Sequence, residues 1–163
     1  MVLESARVEL LAGNPADAEY ELRRGFRVLE ELRERYVLST LAGLLARALW
    51  LQGRPDEAED HTVLAEELAD PDDVDAQVNW RCVQAQILAS RGEGDAAEKL
   101  ARGAVELLES TDATILQIEA LLDLAEILDR LDRPGAEEAR SRAHTLALAK
   151  QSDVLVERVL VRA

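Results

Sequence analysis

The stretch Leu51-Gln52-Gly53-Arg54-Pro55-Asp56-Glu57-Ala58-Glu59 decides the fold. Gly53 can end a helix at positive φ, where a side chain costs energy. Pro55 suits the first position of the next helix, because its missing N–H would go unpaired there anyway. Asp56 and Glu57 then fall in the first turn, where the helix dipole favours negative charge. Before the hinge, Leu38, Leu41, Leu45, Ala48 and Leu49 recur at helical steps and mark one buried face. After it, Ala58, Ala65 and Leu68 mark a second face with small residues, which lets two helices pack closely. The unit is a helical hairpin.

The hinge recurs along the chain. Ala12-Gly13-Asn14-Pro15 precedes it, Arg91-Gly92-Glu93-Gly94 follows, and Leu131-Asp132-Arg133-Pro134 is the last copy. Pro15, Pro55, Gly94 and Pro134 recur at a nearly constant interval of roughly 40 residues, a period that stacked hairpins produce. The pattern predicts hairpins at about 1–35, 37–69, 73–109 and 113–150 within one domain, 1–163. In the last, Asp132 replaces glycine and the small residues shift to Ala139, Ala143 and Ala147, which two extra residues in the turn explain. The tail, 153–163, is consistent with a short segment capping the last hairpin, against which its β-branched residues count as helix. The first helix is short and begins at Met1, which suggests a segment of a longer chain with an added methionine.

Composition supports an all-α reading. Aromatic residues are only 3% of the 163, so Leu, Val, Ile and Ala must build the core. Cys82 is the single cysteine, which excludes an intrachain disulfide and suits a reducing cytoplasm. There is no apolar run of membrane-spanning length, so no membrane role is expected. The net charge is −14, of which ten acids between Pro55 and Asp75, with no Lys or Arg among them, supply −10. Such a surface repels phosphate backbones and argues against nucleic acid as a partner.

The hairpins resemble tetratricopeptide (TPR) repeats. Leu45, Ala46, Leu49, Gly53, Ala58 and Ala65 match that pattern, as do Ala85, Leu88, Gly92, Ala97, Ala101 and Ala104, and Leu124, Ala125 and Leu128. Departures are the longer period, near 40 rather than 34, and the missing family tryptophan and tyrosine. A closer resemblance rests on Glu9-Leu-Leu-Ala-Gly-Asn-Pro, Leu38-Ser-Thr-Leu-Ala, Ala65-Glu-Glu-Leu-Ala-Asp-Pro-Asp-Asp-Val and Ala120-Leu-Leu-Asp-Leu-Ala-Glu-Ile-Leu. These runs are similar to the C-terminal TPR-like region of bacterial multidomain proteins that carry a class III adenylate/guanylate cyclase domain and an AAA-type ATPase. Comparable helical regions end some large ATPase-containing transcriptional regulators. The resemblance implies a TPR-like superhelix of four stacked antiparallel hairpins that senses or docks partners, with catalysis upstream. No catalytic motif of those upstream domains occurs here, so no activity is carried over.

Motifs that would carry chemistry are weak. Asp70-Pro71-Asp72-Asp73-Val74-Asp75 lacks the glycine and glutamate of a calcium loop and reads as an acidic linker capping the next helix. His61 and His144 have no second ligand one turn away, so no metal is expected, and His61 reads as a surface residue. Cys82 has no histidine partner nearby in sequence and reads as a small core residue. Gly92 and Gly94 lack the third glycine and the strand of a nucleotide-binding turn. Glu119, Asp123, Glu126 and Asp129 form an acidic stripe along one helix face, read as solvated, with Arg130 one turn beyond Glu126 to pair with it.

The expected function is therefore a non-catalytic protein-interaction or sensor module, the regulatory C-terminal part of a larger bacterial signalling or regulatory protein. No cofactor is expected. The partner is a protein or peptide, including upstream domains of the same chain. A small-ligand-binding or enzymatic helical domain using the acidic stripe is one alternative. A self-association module is another, since Val2, Leu3, Leu155 and Val159 leave apolar ends that invite end-to-end contact. In TPR arrays the first helix of each hairpin lines the concave side. Matching positions direct Arg47, Trp50, Asn79, Gln86, Glu119, Asp123 and Glu126 toward one peptide-reading groove, although Trp50 equally suits the core and the acids equally suit water.

Overall fold

The computed structural model describes residues 2–32 and 34–162. Met1, read above as an added start, lies outside them with Arg33 and Ala163. Among the described residues there is helix and no strand. The order is α1 (Val2–Leu11), α2 (Pro15–Leu32), α3 (Arg35–Leu51), α4 (Pro55–Leu68), α5 (Val74–Ser90), α6 (Gly94–Leu108), α7 (Thr114–Arg130), α8 (Ala136–Ala149) and α9 (Asp153–Val161). This is the all-α, helical-hairpin architecture that the repeated hinge predicts. The β-branched tail is helical as well. Ser152 caps it, its hydroxyl accepting from the Leu155 N–H at 3.4 Å, and Leu155 and Val159 bury one face.

All four hinges share one hydrogen-bond pattern. Gly13 N–H donates to the Leu10 carbonyl and Asn14 N–H to Glu9; Gly53 pairs with Trp50 and Arg54 with Leu49. Gly92 pairs with Ala89 and Glu93 with Leu88, then Asp132 with Asp129 and Arg133 with Leu128. These two bonds close the last turn of a helix around one residue of positive φ, a Schellman motif. That residue has φ of 80°, 72° and 83° at the glycines and 52° at Asp132. The fourth hinge carries the expected two extra residues. Pro134 does not open α8, as its match to Pro55 suggests; Gly135, at φ 106°, delays the helix to Ala136. The small stripe moves with it, and Ala139, Ala143 and Ala147 are buried.

The chain divides into two compact units, 1–83 and 84–163, the division falling inside α5. In the first unit α3 is central: residues 38–49 are all buried, with α1, α2 and α4 packed on it. A helix buried on every side needs small residues where neighbours come close. Gly43 is one of these, since a Cβ there would stand 2.9 Å from the Asn79 Cβ on α5. In the second unit α7 holds the central place, flanked by α6, α8 and α9. Two glutamines in matching repeat positions tie the incoming linkers to these units. Gln77 Nε2 donates to the Asp70 carbonyl at 3.1 Å, and Gln117 Nε2 to those of Leu108 and Thr111 at 2.8 and 3.1 Å.

Candidate functional site

Glu119, Asp123 and Glu126 stand at i, i+4 and i+7 of α7, so a helical period places them in one row. The expectation of a solvated stripe is corrected for this row: Glu119 is 8% exposed, Asp123 is 1%, and Glu126 is half-buried. Only Asp129, at the end of the stripe, faces water. The cause is α9, which packs against α7 and α8 and carries Arg158, with Arg162 one turn beyond. Sequence periodicity finds the row; it does not reveal which element covers it.

The two arginines divide the carboxylates between them. Arg162 Nη2 donates to Asp123 Oδ1 at 2.8 Å, its Nε to Glu126 Oε1 at 2.6 Å, and its Nη1 to Glu119 Oε2 at 3.3 Å. Arg158 takes both oxygens of Glu119, with Nη2 at 3.0 Å from Oε2. Glu126 also accepts from Gln86 Nε2 on α5 at 3.0 Å, so its expected partner Arg130 is displaced. Burial lowers the pKa of Arg162, but Asp123, Glu126 and Glu119 outweigh it and raise it above the ordinary arginine value. Buried charge is tolerated here because each group is paired and hydrogen-bonded. Planar guanidinium forks suit carboxylates in this way, and the row is chemically a receptor for arginine side chains.

Four of the seven groove residues, Gln86, Glu119, Asp123 and Glu126, thus belong to one connected network in the second unit. The other three lie in the first unit. Arg47 and Asn79 are buried there, and Trp50 is half-buried. Asn79 donates to the carbonyl and carboxylate of Asp75, both at 2.8 Å, while Arg7 holds the same carboxylate at 2.5 Å. The groove reading is corrected for Arg47 and Asn79: both are buried, and the Asn79 amide turns back onto Asp75 of its own helix.

The remaining motifs take structural places. Asp73 caps α5, its Oδ1 accepting from the Ala76 N–H at 3.1 Å, as the linker reading expects. His61 is not a surface residue; it is half-buried, edge-to-face with Phe26 at 6.0 Å, and its Nδ1 is buried without a hydrogen-bond partner. Burial, then the charge of Arg23, holds its pKa below the ordinary value. Cys82 is buried. No group of acids, histidines and cysteine suited to a metal occurs among the described residues. A separate cleft of about 490 Å³ opens between α6 and α8, floored by Val105, Leu108, Leu121 and Leu146, with Glu109 and Arg142 at its rim.

Sequence reasoning missed Arg158 and Arg162. The available signal was a second row at helical spacing, Leu155, Arg158, Val159 and Arg162, complementary in charge to α7. Compared with known proteins, the chain matches no family model and no curated sequence.

Proposed function

We propose that the chain is a non-catalytic protein-interaction module of the TPR-like kind, the regulatory C-terminal part of a larger bacterial signalling or regulatory protein, working in the cytoplasm. One observation carries this: the carboxylates at the centre of the second unit are organised to hold arginine side chains. Glu119, Asp123 and Glu126 all accept from guanidinium groups, and Gln86 orients the last of them. Carboxylates committed in this way are hydrogen-bond acceptors for a cationic partner. Of the three first-helix positions in the first unit, Arg47 and Asn79 are buried, and only the half-buried Trp50 leaves surface for a partner. A peptide or protein supplies such cations, as do upstream domains of the same chain.

The cleft between α6 and α8 favours a second reading, a small-molecule site with an apolar floor and charged rim. Thermal-shift measurements with metals, nucleotides and arginine-bearing peptides separate the two, because only a bound ligand raises the melting temperature by mass action. The interaction module expects stabilisation by peptides alone. Stabilisation by a metal or nucleotide, with none from peptides, overturns it.

A further inference from the structure

We propose that α9 is a detachable strap, and that the Glu119–Asp123–Glu126 face of α7 docks a partner helix bearing two arginines one turn apart, in the place α9 holds in this structure. The proposal rests on the interaction function above and names the chemistry of the partner. Three observations meet here. First, α9 is nine residues long and buries only Leu155 and Val159, while Val154, Leu160 and Val161 stay exposed. A helix that short does not hold its shape alone in water, so α9 is helical because it is seated.

Second, the seat is built from elements that remain when α9 leaves. The α7 helix packs on α6 and α8 as well as on α9, and Gln86, 3% exposed, pins Glu126 from α5. Third, the seat has a geometry. A single guanidinium, that of Arg162, spans all three carboxylates through three different nitrogens, and Arg158 covers the second oxygen of Glu119. Without α9, like charges would line one helix face, a repulsion that arginines remove and water only dilutes. Lysine is a point charge and does not span the row as the planar fork does. The pattern that fits is therefore apolar-x-x-Arg-apolar-x-x-Arg, as in Leu155, Arg158, Val159 and Arg162.

The test uses the full chain and a fluorescein-labelled peptide of residues 150–163, read by fluorescence anisotropy. In the chain carrying Arg158→Gln and Arg162→Gln, the cis strap is weakened and the labelled peptide should bind. Its affinity for the wild-type chain should be at least about tenfold weaker, because a tethered competitor acts at millimolar effective concentration. A peptide with both arginines changed to lysine, or a variant chain also carrying Asp123→Asn, should lose at least about tenfold. No binding to the variant chain, or equal binding to both chains, overturns the proposal. Should circular dichroism show the double variant unfolded, a protease site inserted after Lys150 in the wild-type chain replaces it. After cleavage the labelled peptide should exchange into the seat; an α9 that resists excess peptide overturns the strap. Either failure leaves the interaction function standing, since that falls only on its own metal, nucleotide and peptide comparison.

Discussion

Arg54 reaches back to Glu19 on α2, its Nη1 standing 2.8 Å from the carboxylate, and in the second unit Arg133 meets Glu98 on α6 in the same way. Both glutamates also accept from an arginine one turn on, Arg23 and Arg102, each at 2.7 Å. In each unit the residue just past a hinge therefore clamps the second helix of the preceding hairpin.

The clamps make stability depend on pH. Burial pushes the Glu19 carboxyl up, but hydrogen bonds from Arg23, Gln52 and Arg54 outweigh it and hold it below the ordinary value of 4.5. Arg133 and then Arg102 hold Glu98 below the same value. On acidification the unfolded chain takes the proton first, so the contribution is complete above 4.5 and is lost as pH falls through the lowered folded values. A chain with Glu19→Gln and Glu98→Gln should be less stable than wild type at neutral pH, and the gap should narrow as pH falls below 4.5. Urea midpoints taken across that range check it; a gap that does not change with pH would count against the clamps.

Two glycines inside helices should respond in opposite directions to alanine. At Gly43 a Cβ meets that of Asn79 at 2.9 Å, whereas at Gly103 nothing lies within 4 Å. Overpacking costs about 1–3 kcal/mol, while relief from glycine inside a helix contributes about 0.5–1 kcal/mol. Gly43→Ala should therefore destabilise and Gly103→Ala should stabilise in urea unfolding. Equal gains at both would show that α3 and α5 do not approach as described.

Leu45, 1% exposed, sits on the central helix of the first unit. Leu45→Ala should cost ~2–5 kcal/mol of unfolding free energy, the range for deleting a buried leucine side chain. A loss below about 1 kcal/mol, the scale of surface changes, would place the core elsewhere.

Asp132 occupies, at φ 52°, the place that glycine holds in the other hinges. Left-handed backbone costs an ordinary residue roughly 1–2 kcal/mol, which aspartate partly avoids and glycine escapes. Asp132→Gly should stay within about 1 kcal/mol of wild type, since a more flexible unfolded chain offsets the relief. Asp132→Val should fall at least about 1 kcal/mol below it, because a β-branched side chain tolerates this conformation worst. Similar stabilities for the two variants would remove the hinge from its left-handed place.

The hairpins were legible because a single glycine with proline and acids beyond it reports both ends of two helices, and the chain repeats that report at a fixed interval. Even the delayed start of α8 showed in the shifted alanines at positions 139, 143 and 147. The site was half legible. Helical spacing brought out Glu119, Asp123 and Glu126, yet their environment depends on Arg158 and Arg162, two elements further along in a tail whose β-branched residues obscured its helix. His61 was misread for a related reason: acids beside it in sequence suggested water, while Phe26, from another helix, meets its ring edge to face. The clamps and the linker glutamines carried a usable signal, their recurrence at matching places of the repeat, which apolar periodicity does not sample.

The shared hinge geometry has a consequence for how such a chain can change. Register is carried by one left-handed residue and two backbone bonds, so side chains on either side are free to diverge without shifting the helices. A hinge is then an interchangeable part: grafting Leu128–Arg133 in place of Leu49–Arg54 should leave both helices where they are. Repeats built on such joints can diverge at other positions and still keep each hairpin.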